Sequence, residues 1–154
     1  MASSPQFSLA DSLDEPWPLC ISISGSAGAA AREWYTQTKI PVLAWSSLAS
    51  GFFSGRFRRD NLHTFSDREW DRVCVRTYAS EENFQRLDRA GILAAEKGLT
   101  AAQVALAYVM NQPMNLFAVI GPRSSENFRA SVEASEVRLT AQEMAWLDLK
   151  SDNR

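Results

Sequence analysis

The stretch Ile40 to Arg56, IPVLAWSSLASGFFSGR, joins a fully apolar run to a small, hydroxyl-rich loop punctuated by glycine. A short apolar run such as Pro41 to Trp45 reads as a strand buried on both faces, the kind that belongs in a parallel α/β sheet. In sheets of that class ligands sit beyond the carboxyl ends of the strands. At that position Gly51 and Gly55 permit close backbone approach, Ser46, Ser47, Ser50 and Ser54 offer hydroxyls, and Arg56 offers a fixed positive charge. A second segment, Leu116 to Phe128, LFAVIGPRSSENF, repeats the plan. There Gly121 and Pro122 end a strand, Arg123 and Ser124 follow, and a helix starts near Ser125, whose free N–H groups and positive dipole end suit a phosphate.

Working outward, a short strand is expected around Gln6 to Leu9, followed by an extended excursion through Asp14, Glu15, Pro16, Trp17 and Pro18. A helix over Ala27 to Thr36 is expected to pack Trp34. From Arg56 to Ser80 the chain turns polar, and Ser66-Asp67-Arg68-Glu69 reads as a capping box ahead of a short helix carrying Trp70 and Val73. Two helices follow, separated by Gly98. The first runs from about Ser80 to Lys97, with Phe84, Leu87, Ala90 and Ala94 on one side. The second, capped by Thr100 to Gln103, is apolar around most of its circumference and so belongs in the core. Pro113 ends it before a strand from Leu116 to Ile120. A helix near Ser125 to Ala134 and a last one from Thr140, with Met144, Trp146 and Leu147 inward, complete residues 1–154 as a single unit without internal repeats.

Composition narrows the function classes. Hydrophobic residues make up 45% of the 154 residues, charged ones 22%, and the net charge of −2 leaves no basic stripe for nucleic acid. The N-terminus lacks the charged start and apolar core of a secretory signal, and no run reaches membrane-spanning length, so a cytoplasmic protein without a membrane partner is expected. Cys20 and Cys74 lie far apart with no CxxC and no nearby histidine, which points to reduced packing thiols rather than a zinc site or a disulfide. His63, the single histidine, sits in a polar loop and receives no role. Arg56, Arg58 and Arg59, set against Asp60, Asp67, Glu69 and Asp71, read either as a solvated face balanced by acids or as a rim holding a pyrophosphate.

At these residues the chain resembles a known family. Ala44-Trp45-Ser46-Ser47-Leu48-Ala49-Ser50-Gly51, with Ser54-Gly55-Arg56 after it, resembles the seventh-strand signature of the aldo/keto reductases. Ile120-Gly121-Pro122-Arg123-Ser124 resembles their eighth-strand signature. Leu139-Thr140-Ala141-Gln142-Glu143 is similar to the opening of their last helix, and SPQFSLA around Gln6 to their sixth strand. The resemblance covers essentially the whole chain and implies an α/β fold, the C-terminal part of a (β/α)8 TIM barrel (about strands 6 to 8 with their helices). A full barrel has roughly 250 residues, so the N-terminal strands are expected to be missing, and with them the family's Asp, Tyr, Lys and His tetrad. None of the tyrosines here, Tyr35, Tyr78 or Tyr108, stands in a setting like the family's catalytic tyrosine, and no catalytic residue or metal site is assigned.

The resemblance implies NADP as cofactor and a small carbonyl compound as substrate. Trp45 would stack on the nicotinamide ring and Gln6 would hydrogen-bond its carboxamide. Ser46, Leu48, Ala49, Ser50, Gly51 and Arg56 would wrap the pyrophosphate. Gly121, Arg123 and Ser124 would face the adenosine ribose and its 2′-phosphate, where a guanidinium favours NADP over NAD. Asn127 and Ser131 fall at adenine-facing positions. Three departures stand out: Ser47 takes the usual proline position, Asn127 shortens a common glutamine, and Ala130 with Ser131 replaces the Glu-Asn pair that recognises adenine. Trp45 has an alternative reading as a barrel-core aromatic, and Arg123 as a solvated strand-end charge. Two functions are carried forward: a cofactor-holding part of a carbonyl reductase, and a non-catalytic truncated protein acting as a binding or interaction module. Open strand edges lead to an expected self-association or pairing with the missing barrel half.

Overall fold

In the computed structural model, which describes residues 1–15 and 17–154, the chain is organised around strand β1, Val42–Ala44, and strand β2, Leu116–Ala118. They pair in parallel with Val42 opposite Leu116, Leu43 opposite Phe117 and Ala44 opposite Ala118. On the other side of β1 the N-terminal segment runs parallel through single bridges, Ser3 to Val42 and Gln6 to Trp45, and Gln6 also bridges Ser22. The strand expected over Gln6 to Leu9 is thus reduced to these bridges, because Phe7, Ser8, Leu9 and Ala10 leave the ladder to be buried in the core. Pro16, within the expected excursion, lies outside the described residues.

Among the described residues six α-helices accompany this pair: α1 Ala29–Thr38, α2 Glu69–Tyr78, α3 Glu81–Lys97, α4 Ala101–Met110, α5 Ser125–Ala134 and α6 Ala141–Leu147. Local chemistry sets most of their ends. The Ser80 side chain accepts from Asn83 N–H at the start of α3. Thr100 and Thr140 form full capping boxes with Gln103 and Glu143, and Gly98 closes α3 in the left-handed conformation at φ 67°. Apolar all round, α4 packs against α3, α5, β2 and the loop after β1, with Val104, Ala105, Leu106, Ala107 and Val109 buried. Among the described residues no single helix is long and apolar enough to cross a membrane.

Three further expectations are corrected. First, β1 is not buried on both faces: Val42 and Ala44 are enclosed, whereas Leu43 is 40% exposed and its register partner Phe117 55%. No layer of the described residues covers that face of the sheet. Second, α1 begins at Ala29 and turns Tyr35 inward, where its hydroxyl meets Ser3 Oγ at 2.5 Å, so Trp34 is left 49% exposed. Successive helical residues point about 100° apart, and only one of the two rings can face the core. Third, the expected capping box at Ser66 is absent. The helix starts at Glu69 with Arg68 as an uncapped N-cap, and Ser66 Oγ instead donates to Asp67 Oδ1 at 2.9 Å. That start places Asp71, Cys74 and Tyr78 on the inner face and leaves Trp70 exposed.

The core runs from Phe7, Leu9 and Tyr108 to Phe52, Phe53 and Phe57, which follow β1, and on to Leu147 of α6. Phe52 stands edge-on to Phe53 at 5.6 Å and against Phe84 of α3 at 5.1 Å. Phe52→Ala is expected to cost about 3 to 5 kcal/mol, against about 1 kcal/mol for Thr140→Ala, as read from urea midpoints. Burial also pushes the Cys74 thiol from 9.0 up to about 12 and the Tyr78 hydroxyl from 10.0 up to about 12. Both folded values lie above the unfolded ones, so the stabilisation is complete below the unfolded values and is lost as pH rises through this window. The urea midpoint should therefore fall as pH rises from 9 toward 12, and Cys74→Ala should make that fall shallower.

Candidate functional site

Because β1 and β2 are parallel and in register, the chain leaves both strands at the same end of the sheet. At the end of β1 it enters a loop with an unusual backbone. Ser46, Ala49 and Ser50 have φ of 55°, 51° and 56°, and Gly51 and Gly55 follow at 90° and 78°. Left-handed conformation costs a non-glycine residue roughly 1 to 2 kcal/mol, and such outliers persist only where surrounding structure over-determines them.

The surroundings here supply that constraint. Ser46 Oγ accepts from Ser50 N–H at 2.9 Å and meets Ser50 Oγ at 3.2 Å. Ala49 N–H donates to Ser46 O at 2.8 Å and Gly51 N–H to Leu48 O at 3.0 Å. Ser47 donates to Ala44 O at 3.2 Å, so the residue in the usual proline position pins the loop to the strand end by its hydroxyl. Phe52 and Phe53 plunge into the core directly after the turn. Beneath the loop, Cys74 Sγ of α2 approaches Ala49 O at 3.6 Å. The Tyr78 hydroxyl lies beside the Ser46 and Ser12 side chains, yet Tyr78 OH, Ser12 Oγ and Thr77 Oγ1 are buried without a hydrogen-bond partner. A carbon added at Gly51 would meet nothing within 4 Å, so the outer side of the turn is open to a close-approaching group.

Farther along, Arg56 is tied by two hydrogen bonds to Asp71 on the inner face of α2 and lies over the rings of Phe57 and Phe65 at 4.7 and 5.1 Å. Arg58 pairs with Asp60, and Arg59 with Glu81 and Asp88. Those acids hold the Arg59 guanidinium well above its usual range. Of the two readings of the arginine cluster, the acid-balanced one is what the geometry displays for Arg58 and Arg59.

At the end of β2 the residues Gly121, Arg123, Ser124 and Asn127 are all exposed, and Arg123 forms no ion pair among the described residues. Ser124 is the N-cap of α5 and accepts from Asn127 N–H at 3.1 Å. One turn on, Ser131 Oγ donates to Asn127 O at 2.8 Å, an inward-looking bond that occupies its hydroxyl proton. The structure thus brings Gln6, Trp45 and the Ser46–Gly51 loop together through the Gln6–Trp45 bridge and sets the Gly121–Ser124 turn at the neighbouring strand end.

Two residues expected at the ring-binding end are already engaged. Trp45 carries Trp17 stacked on it at 4.8 Å with 17° between planes, and its indole N–H donates to Ser4 O at 3.1 Å. Gln6, 0% exposed, accepts from Ser22 Oγ at 2.6 Å and Ser24 Oγ at 3.1 Å, and donates to Ser8 Oγ at 3.2 Å. Sequence reasoning missed Trp17, Asp71 and Tyr78. Asp71, Cys74 and Tyr78 recur at helical spacing, which was the available signal for an inner face of α2; nothing local marked Trp17. Among the described residues no group of histidine, cysteine and carboxylate side chains forms a metal site, and both cysteines are free.

Comparison with known proteins gives the same assignment. The family model of the aldo/keto reductase family matches residues 30–152. The chain is 31% identical over 107 residues to the uncharacterized oxidoreductase YrpG of Bacillus subtilis (strain 168), covering 70% of this chain and 31% of that protein. It is 26% identical over 140 residues to versiconal hemiacetal acetate reductase of Aspergillus parasiticus, covering 86% of this chain and 40% of that one. Among solved structures, the thermostable aldo-keto reductase Tm1743 in complex with the inhibitor epalrestat superposes with a TM-score of 0.60 at 17% identity, over 96% of this chain and 39% of that one. An aldo/keto reductase from Klebsiella pneumoniae in complex with NADP and acetate gives 0.53 at 22% identity, over 96% and 38%. The chain spans less than half the length of each of these proteins, and the two superpositions show an α/β fold resembling aldo-keto reductase barrels. With the family match over most of its length joined to two parallel strand ends carrying the expected loops, the chain belongs to the aldo/keto reductase family.

Proposed function

We propose that this chain is the NADP(H)-binding C-terminal part of a cytoplasmic aldo/keto reductase-like oxidoreductase that reduces aldehydes or ketones, its extended segments corresponding to strands 6 to 8 of the barrel. The observation that carries the reading is the left-handed loop Ser46–Gly51 held beside the Gly121–Ser124 turn by the register of β1 and β2. A backbone turned so that its outer side is open suits a diphosphate, which presents acceptors to N–H and hydroxyl donors. In this reading Ser46, Leu48, Ala49, Ser50 and Gly51 form the cradle, and Arg56 braces its far end through Asp71.

The adenosine end fits best. Arg123 is exposed and unpaired among the described residues, and with Gly121, Ser124 and the N-terminus of α5 it supplies charge-assisted donors for a ribose 2′-phosphate. Adenine itself meets Asn127 and Ser131, of which Ser131 is already engaged. At the other end Trp45 orients the nicotinamide by stacking and Gln6 by its amide, once their present partners yield. When bound, the cofactor supplies the hydride; this chain's residues hold and orient it. Tyr35, Tyr78 and Tyr108 are buried, and no catalytic residue is assigned here.

A second reading, an interaction module, is favoured by one observation, the open apolar sheet face of Leu43, Phe117 and Val119. Self-association or pairing with a polypeptide that supplies the rest of a barrel would cover it. Titration followed by tryptophan fluorescence tests the first reading. NADPH is expected to bind in the micromolar range and NADH at least tenfold more weakly. Arg123→Ala is expected to lose about tenfold to a hundredfold for NADPH, from about 1.5 to 3 kcal/mol of charged hydrogen bonding, while leaving NADH nearly unchanged. Equal affinity for the two cofactors would remove Arg123 from the site, and steady NADPH consumption with simple aldehydes by the purified chain would contradict the absence of a catalytic residue.

A further inference from the structure

Two residues expected to hold the nicotinamide, Trp45 and Gln6, lie on neighbouring segments joined by a single bridge, and one excursion engages both. Trp17 lies on the Trp45 ring, 4.8 Å away and 17° from coplanar. Ser22, at the far end of the same excursion, donates to Gln6 Oε1 at 2.6 Å. We propose that Trp17 and Ser22 together are an internal occupant of the nicotinamide subsite, with the Trp17 indole in the place of the pyridine ring and the Ser22 hydroxyl in the place of the carboxamide N–H. The inference rests on the reading of Trp45 and Gln6 given under Proposed function.

The chemistry of the substitution is close. An indole stacked in near-parallel fashion presents the same flat π-surface as a nicotinamide, and a hydroxyl proton donated to an amide oxygen stands in for an amide N–H. The part of the excursion around Trp17 is also lightly packed. Leu13, Leu19 and Ile21 are exposed, so it buries little apolar surface of its own, and Leu19 adopts a left-handed φ of 67°. Behind it opens a cleft of about 440 Å³ lined by Ser12, Leu13, Asp14, Glu15, Cys20 and Ser22. It is tied to the body at both ends, by Leu13 N–H to Thr77 O at 2.8 Å and Asp14 to Arg76 at 2.9 Å at the start and by Gln6 N–H to Ile21 O at 2.8 Å at the finish. Trp70 adds an edge contact to Trp17 at 5.7 Å. Trp17, between these ties, can therefore swing off the Trp45 ring while the strand ends and their loops stay in place.

An internal occupant lowers apparent affinity by the fraction of molecules in which the subsite is free. A stacked population of about nine in ten would weaken NADPH binding about tenfold. The test uses the full chain with two probes: NADPH, which needs the ring site, and adenosine 2′,5′-bisphosphate, which reaches only the Arg123 end. Trp17→Ala is expected to tighten NADPH about tenfold and leave the bisphosphate unchanged, and Trp17→Leu, which keeps apolar bulk should the alanine variant unfold, to tighten it by a similar factor. NADPH binding that is unchanged or weaker in both variants, with the bisphosphate still bound, would overturn the internal occupant and leave the cofactor reading intact. Failure of both probes to bind the wild-type chain would overturn the cofactor reading and the occupant with it.

Discussion

The parallel register of β1 and β2 is the constraint on which the rest of the molecule depends. Three residue pairs, from Val42–Leu116 to Ala44–Ala118, hold together segments more than seventy positions apart in the chain. A shift of β1 by one residue would turn Val42 and Ala44, now enclosed, away from the helices. It would also offset the two strand ends, so that the loop after β1 and the turn before α5 no longer faced one space. The helices between, above all the apolar α4, exist in this arrangement to make that crossover and cover the enclosed face of the sheet.

Strain and burial are coupled at the loop after β1. Ser46, Ala49 and Ser50 adopt a conformation that L-residues avoid, and the chain immediately buries Phe52, Phe53 and Phe57. Each buried phenylalanine contributes about 1.5 to 3 kcal/mol, enough to offset the unfavourable dihedrals. The loop shape is thereby coupled to core packing, the kind of preorganisation that lowers the entropy a binding site must give up.

Helix ends were legible in the sequence because their physics is local. Thr100 with Gln103, Thr140 with Glu143, and Gly98 all act where their spacing predicts, and α5 occupies Ser125–Ala134 as read. The same kind of motif failed at Ser66, where the neighbouring Asp67 takes the hydroxyl and the inner face of α2 decides where the helix begins. The candidate site was legible as two strand-end loops, since glycine, serine and arginine in sequence order mark them. Its partners were not. Arg56 and Asp71, Trp17 and Trp45, and Gln6 with Ser22 and Ser24 meet only because of the tertiary path. No periodicity or cap reports such meetings, and the choice of Tyr35 over Trp34 for the core follows from the same kind of long-range fit.

The uncovered side of the sheet carries a thermal consequence. Leu43, Phe117 and Val119 present a contiguous oily strip to water, and its tendency to find another surface is governed by hydration, which is entropic near room temperature and weakens on cooling. Solutions of this chain should accordingly cloud on gentle warming and clear again in the cold, a reversible response distinct from the cooperative melting of the core.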